Sequence, residues 1–288
     1  MYFSVVIPTF NRPESLSKCL EKLLNCDPLP QEILVHVDAG DLTTEPKLKP
    51  IFGDQVTWLH STTNQGPGGG RNKLIKAAKY PIIASFDDDS WPISPNYFQV
   101  ALDTFTRYPQ AAVISAQEIR RNSQSNQPNQ LESDRVQEVS CFQNCACLIR
   151  KEAFMQTAGY IPLRYAYGME EADVALQILD KGWQIIEVPD LQVFHDTQLE
   201  HHASPEVNAA HIANTALLAY LRYPVSYSVL GILQVLNRLR YACSQGRWHG
   251  ILKGLLLIPK LFYKYRNQRK PVTSQTIQSS RKLARSSK

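Results

Sequence analysis

None of the chain's 26 acidic residues follows Glu206. The 14 Lys and Arg beyond that point stand unbalanced, whereas the residues before it carry 17. An acidic body joined to a basic tail points to an anionic surface as the tail's partner. Long apolar runs are missing too. No stretch reaches about 18 apolar residues, so the sequence predicts no spanning helix. A secretory signal pattern is absent from the N-terminus, where Tyr2 to Ile7 reads as a strand and the polar TFNRPES follows. Cysteines number six among 288 residues. Cys141, Cys145 and Cys147 lie close together without a second group at zinc-like spacing, and they read as buried thiols in a reducing compartment. Neither a Walker Gly-Lys-Ser/Thr nor a G-x-G-x-x-G phosphate loop is present.

What is present centres on SFDDDSWP, Ser85 to Pro92. The apolar run before it suits a buried strand. Three carboxylates, Asp87, Asp88 and Asp89, then fall at the strand's end. Like charges there repel unless a cation joins them, and carboxylate oxygens suit Mg2+ or Mn2+. In open α/β sheets, ligands bind at the carboxyl ends of the strands. The alternative is a solvated acidic turn capped by Asp89 or Ser90.

The remaining elements alternate. Strands are expected at Tyr2–Ile7, Glu32–Val37, Val56–His60, Pro81–Phe86 and Ala111–Ala116. Apolar residues at helical spacing mark helices after Pro13 and from Asn96 to Tyr108. The first β-α-β unit implies a parallel pair. Asp38 ends the second strand, either as a nucleotide contact or as a turn former. NQGPGGGRNKLIKAA reads as a glycine loop whose N–H groups can approach phosphate, with a helix starting near Arg71. Residues 121–135 are polar and read as a mobile loop, and Val136 to Ile149 returns to β character. KEAFMQTAGY is a short helix stopped by Gly159. GMEEADVALQILDKGW begins a second helix whose first turn holds Glu170, Glu171 and Asp173. Two short strands, Trp183–Val188 and Leu191–Phe194, end at His195. Helical stretches follow near 207–222, 225–243 and 248–265. From about Asn267 the chain is polar and basic, and it reads as disordered.

This order of motifs resembles family 2 glycosyltransferases with the GT-A fold, from Met1 to about Asp196. VVIPTFNR, VHVDAGD, NQGPGGGRN, FDDD, the GMEEADVALQILDKGW helix and VFHD carry the resemblance. It implies an α/β fold, a Rossmann-like and mostly parallel sheet flanked by helices, with a basic amphipathic helical tail. The expected parts are a catalytic domain over 1–204, a helical extension over 205–266 and a disordered basic tail over 267–288.

The resemblance further implies an inverting, metal-dependent transfer of a sugar from a nucleotide diphosphate to a hydroxyl. A uridine diphosphate sugar is the first expectation for the donor, and a lipid-linked or polysaccharide glycan for the acceptor. Pro8, Thr9, Asn11, Arg12, Asp38, Asn64, Gly66, Gly70, Arg71, Asp87, Asp88 and Glu170 would bind the donor. Asp87, Asp89 and His195 would hold Mn2+ or Mg2+ as a Lewis acid for the leaving diphosphate. Glu171 would be the base, with Asp173 as second choice. Two departures stand out. Glu170-Glu171 replaces the more usual Glu-Asp, giving a longer carboxylate as base. Asp-Ala-Gly-Asp replaces the more usual Asp-Asp-Gly-Ser at the second strand.

A cytoplasmic protein held peripherally on an anionic membrane is expected, with no nucleic-acid partner. Lys253, Lys260 and Lys264 interrupt apolar residues at helical spacing, as in a helix lying in a membrane interface. Two other classes stay open. One is a catalytically silent scaffold whose basic tail binds membrane or nucleic acid. The other is a nucleotidyltransferase, which would give the EEAD helix no particular place.

Overall fold

The computed structural model describes residues 1–120, 136–197 and 204–286. Strand β1, Phe3–Thr9, is buried throughout. Its alternation sends Phe3, Val5 and Ile7 to one face of a sheet and Val6 to the other. Helix α1, Pro13–Leu23, places Leu16, Leu20 and Leu23 on the first face. Between them Asn11 has φ of 55°, a left-handed conformation that Asn tolerates better than most residues.

Strand β2, Glu32–Val37, pairs parallel with β1. Helix α2, Thr44–Phe52, leads to β3, Thr57–His60, which pairs parallel with β2. Helix α3, Gly66–Ala77, precedes β4, Ile82–Ser85, on the other side of β1. The glycine run is thus the first turns of a helix, which starts before Arg71. Glycine is a poor helix former, so packing selects it here. Gly66 has φ of +63°, and a Cβ there would stand 1.9 Å from the Leu163 carbonyl oxygen.

The second half of the sheet is mixed. Strand β5, Ser90–Pro92, and helix α4, Tyr97–Arg107, lead into β6, Ala111–Arg120. The two-residue β7, Gln137–Glu138, and β8, Cys147–Arg150, follow. Helices α5, Lys151–Met155, and α6, Glu170–Asp180, precede β9, Gln184–His195. The order is β3-β2-β1-β4-β8-β6-β9-β5, with β7 also on β9. Pairs β4–β8, β6–β8, β5–β9 and β7–β9 are antiparallel, whereas the long β6–β9 pair is parallel, so the sheet is parallel through its N-terminal strands and mixed beyond them. The two short strands expected after Trp183 are one, interrupted where the register against β6 jumps from Val188 to Gln192. The polar stretch 121–135, read as a loop, lies outside the described residues.

Helix α7, Pro205–Arg222, is buried along most of its length. Helices α8, Ser228–Ser244, and α9, Ile251–Tyr265, pack on it. The expected disorder after 267 is not what the structure has. Helix α10, Ser274–Ser286, packs on α6, with Thr276 and Ile277 buried. Thr276 Oγ1 and the Thr273 N–H both donate to Asp180 at the end of α6. Composition predicts a solvated tail, but Val272 and Ile277 find an apolar site beside Leu176 and Tyr223. Full burial of such side chains contributes about 1.5–3 kcal/mol each. No helix among the described residues is long and apolar enough to cross a membrane.

Candidate active site

A cleft of about 740 Å³ opens at the C-terminal ends of β1, β2 and β4. Pro8 and Thr9 come from β1, Arg12 from the turn after it and Asp38 from the end of β2. Asn64 and Gly66 come from the α3 entrance, and Arg71 from α3 itself. The acidic turn supplies Asp87, Asp88 and Asp89. Glu170 and Glu171 come from the first turn of α6, and His195 from the end of β9.

The three aspartates have different partners. Asp88 is buried and accepts from Thr9 Oγ1 at 2.8 Å, with Arg12 Nη1 also at 2.8 Å. Burial still pushes its carboxyl up to about 7, against the pull of Arg12. Asp89 pairs through Oδ2 with Arg12 at 2.6 Å and through Oδ1 with His195 Nε2 at 3.0 Å. Burial opposes ionisation, but His195 and Arg12 prevail and hold Asp89 down at about 2. Asp87 pairs with Arg71, which is 1% exposed. Arg71 also donates to Ser85 Oγ at 3.0 Å and faces Glu170 Oε1 at 3.6 Å. It therefore ties the acidic strand end to the acidic helix.

His195 touches two carboxylates, because its Nδ1 lies 2.5 Å from Glu118 Oε1. Burial alone would disfavour its charge. Contacts with Asp89, Cys145 and Glu118 override this and push its pKa up to about 12. The ring is an imidazolium when only protons compete for it. Donor atoms of Asp87, Cys145 and His195 all lie within 4.8 Å of one another. Carboxylate oxygen, imidazole and thiol are a donor set that a divalent transition metal accepts. A carboxylate behind the other ring nitrogen is the usual arrangement around a metal-bound histidine.

Glu170 is buried, and its Oε1 has no hydrogen-bond partner. Burial pushes its carboxyl upward while Arg71 pulls it down. Glu171 is half-buried. Burial raises its pKa as well, against hydrogen bonding from its own backbone and the pull of Arg71.

Three expected site residues do not line the cleft. Asp173 is buried in an ion pair with Arg222 of α7, which engages both carboxylate oxygens. It faces away from the cleft and is not available as a base. Asn11 turns its backbone N–H onto Asp41 Oδ2 at 2.7 Å. Gly70 packs against His36 and Pro8. Asp38 does reach the cleft, but its oxygens accept the backbone N–H groups of Ala39, Gln65 and Gly66 at 2.9 Å. In this state it staples the α3 entrance to β2.

Sequence reading misses Glu118, Cys145 and the wall formed by Arg164, Tyr165, Ala166, Tyr167 and Gly168. Glu118 lies two residues beyond the predicted end of its strand. Cys145 reads in sequence as an inert thiol, yet the 3-10 turn Asn144–Ala146 brings it to the cleft. The wall has no motif of its own. It is held from behind by Asn214 of α7, whose Nδ2 donates to the Tyr165 and Tyr167 carbonyls at 2.8 and 3.0 Å.

A sheet whose parallel strands end at a cleft with an acidic turn, flanked by helices, has the GT-A class of fold. The profile of glycosyl transferase family 2 matches residues 4–167, more than half of the chain, and the chain belongs to that family. A poly(ribitol-phosphate) beta-glucosyltransferase of Bacillus spizizenii is 31% identical over 97 residues, 32% of this chain and 15% of that protein. A GalNAc(5)-diNAcBac-PP-undecaprenol beta-1,3-glucosyltransferase of Campylobacter jejuni is 30% identical over 89 residues, 30% of this chain and 29% of that protein. The chain thus spans less than a third of either relative. S. aureus TarS 1–349, solved with UDP-GlcNAc, has the same fold at a TM-score of 0.64 and 18% identity, over 83% of this chain and 72% of that one. The mannosyltransferase PcManGT of Pyrobaculum calidifontis, solved with GDP-Man and Mn2+, aligns at 0.61 and 15% identity, over 98% and 84%.

Proposed function

We propose that the protein is an inverting glycosyltransferase that moves a sugar from a nucleotide diphosphate to a hydroxyl of a lipid-linked or polymeric glycan. The observation that carries this reading is the convergence of the acidic turn, Arg71, His195 and the Glu170-Glu171 helix start on one cleft. Relatives whose names specify an undecaprenol-linked or a polyribitol acceptor support the acceptor class.

Asp87, Cys145 and His195 would hold the divalent cation, and Asp89, next to His195, would join them as a further carboxylate ligand. The mixed oxygen and nitrogen donors favour Mn2+ over Mg2+. When bound, the cation supplies Lewis-acid stabilisation of the departing diphosphate. Arg12 and Arg71 orient the carboxylates, and Glu171 takes the acceptor's proton as the hydroxyl attacks the anomeric carbon. Attack from the face opposite the nucleotide inverts that carbon.

The test is a thermal-shift screen of UDP-GlcNAc, UDP-glucose and GDP-mannose, each with and without Mn2+. A donor at about 100 times its Kd stabilises the fold by about 2.7 kcal/mol, or roughly 5–10 °C in a chain of this size. That shift is expected only with the metal, and Asp89→Ala is expected to abolish its metal dependence. A shift independent of Mn2+ in both proteins would overturn the metal assignment. Donor binding without hydrolysis or transfer would favour the silent scaffold.

Glu118 provides a narrower test. Glu118→Gln should weaken Mn2+ binding about 10- to 100-fold, the usual effect of losing a partner behind a ligating histidine. Mn2+ titration followed by electron paramagnetic resonance reads this without any substrate. Unchanged affinity would remove His195 from the ligand set.

A further inference from the structure

Of the twenty most exposed large apolar side chains among the described residues, eleven fall between Val225 and Tyr263. They are not scattered. On α8, Val229, Ile232 and Leu236 recur at helical spacing and are 65%, 60% and 54% exposed. On α9, Leu252, Leu256 and Tyr263 do the same at 70%, 60% and 72%. Both helices use their other side against α7. Gly231 of α8 sits at Ala219, and Gly254 of α9 sits at Ala209 and Ile212, where an added Cβ would come within 3.0 Å of its neighbours. The helices therefore approach α7 closely at their small residues and still carry a second apolar face that nothing among the described residues covers.

We propose that the exposed faces of α8 and α9 dock the protein on an anionic lipid bilayer, with both helices lying in its interface. Charge selects this occupant. From Ser228 to Tyr265, the two helices and their connection, the chain carries six basic residues and no acidic one, and Lys253, Lys260 and Lys264 ride on α9 among the apolar residues, with Lys253 also reaching Glu206 at 3.3 Å. A second copy of this face would bring two basic surfaces together, and interface cores are depleted of lysine. A nucleic acid would satisfy the charges but leave the apolar stripes in water. An anionic bilayer satisfies both, in the manner of amphipathic interfacial helices. At 17 and 15 residues, the helices lie along a membrane and do not cross it.

The position of this face bears on the cleft. The inner side of α9 sets Leu261, Phe262 and Tyr265 against Ile161, Leu163 and Met169. Tyr265 also donates its hydroxyl to the Pro162 carbonyl at 2.8 Å. Those residues flank, in sequence, the wall that lines the cleft at Arg164 to Gly168. A helix with its side chains is about 10–12 Å across, so a bilayer on the outer side of α9 would lie about one helix from that wall. The docking itself rests on exposure and charge and does not depend on the transferase reading.

The experiment is vesicle co-sedimentation of the full chain. Vesicles of equimolar phosphatidylglycerol and phosphatidylcholine should bind it, and high salt should weaken that binding. Lys253→Gln, Lys260→Gln and Lys264→Gln together should weaken binding about 100-fold at low salt. Ile232→Ser with Leu236→Ser, and separately Leu252→Ser with Leu256→Ser, should each reduce binding at every salt concentration. Circular dichroism confirms that these surface variants fold. Nucleotide-sugar thermal shifts on the same variants should be unchanged, which separates this proposal from the reading of the cleft. Equal binding to pure phosphatidylcholine vesicles, or unchanged binding by both serine pairs, would overturn the proposal. So would a dimer in sedimentation that the serine pairs dissolve while vesicle binding persists.

Discussion

Glu171→Gln is expected to lower turnover about 10²–10⁴-fold, the usual share of a general base, while the metal-dependent donor shift persists. The substitution keeps the size of the side chain and removes its capacity to take a proton. Of the two adjacent glutamates, Glu171 is the more open to the cleft. Glu170 lies deeper, against Arg71 at 3.6 Å, where it shapes the charge around Asp87. The sign of the pH dependence follows from burial, which holds the Glu171 pKa above its ordinary value. A protonated carboxyl accepts nothing, so turnover should rise with pH through that raised value and level off above it. The glutamine variant should lose this rise along with the rate. Steady-state rates across a pH series, beside donor thermal shifts, check both parts. Near-normal turnover would transfer the role to Glu170. It would not transfer it to Asp173, whose oxygens are taken by Arg222.

Elements whose pattern is local are legible in the amino-acid sequence alone. The strand Glu32–Val37 has the bounds that its apolar run implies, because a fully buried strand writes its burial along itself. The acidic turn, Arg71 and His195 stand out because unlike chemistry interrupts an apolar or glycine-rich run in each case. What stays hidden is non-local. The glycine run folds into helix because its surroundings admit no side chain: a Cβ on Gly68 would come within 2.8 Å of both Glu170 and Tyr160. Nothing within residues 64–78 reports that crowding. Glu118 and Cys145 reach the cleft through the pairing of β6 with β9 and of β4 with β8, and strand order cannot be read from any single segment. The basic C-terminal residues mislead in the other direction. A few apolar side chains, Val272 and Ile277, dock a segment that charge alone describes as solvated.

The same limit explains Asp173, and it leads to the largest expected effect on stability. Asp173 lies in the first turn of α6, where the helix dipole alone favours an acid, and the motif there resembles a catalytic one. Its partner is 49 residues away. Arg222 is 0% and Asp173 1% exposed, so each charge depends on the other. Burial pushes the Asp173 carboxyl upward, against the pull of Arg222. Arg222 also donates to the Gln268 carbonyl at 3.0 Å, and the Val272 N–H donates back to the Arg222 carbonyl at 2.8 Å. One residue thus joins the α6 helix start to α7 and to the chain leading into α10. Arg222→Met removes the cation and leaves the carboxylate unpaired, a change that typically costs about 3–5 kcal/mol. In a domain of this size that lowers Tm by roughly 6–20 °C. Adding Asp173→Leu removes the stranded charge. Because replacing both members of a buried pair by apolar residues is often close to neutral, the double variant should recover most of the loss. Thermal unfolding of the two single variants and the double variant measures the coupling directly. Recovery would make the pair a charge-balanced clamp on the helix that presents Glu171. If the double variant were as unstable as the sum of the singles, the residues would act by packing alone. The C-terminal helices would then hold α6 through Leu176, Tyr223 and Val272 instead.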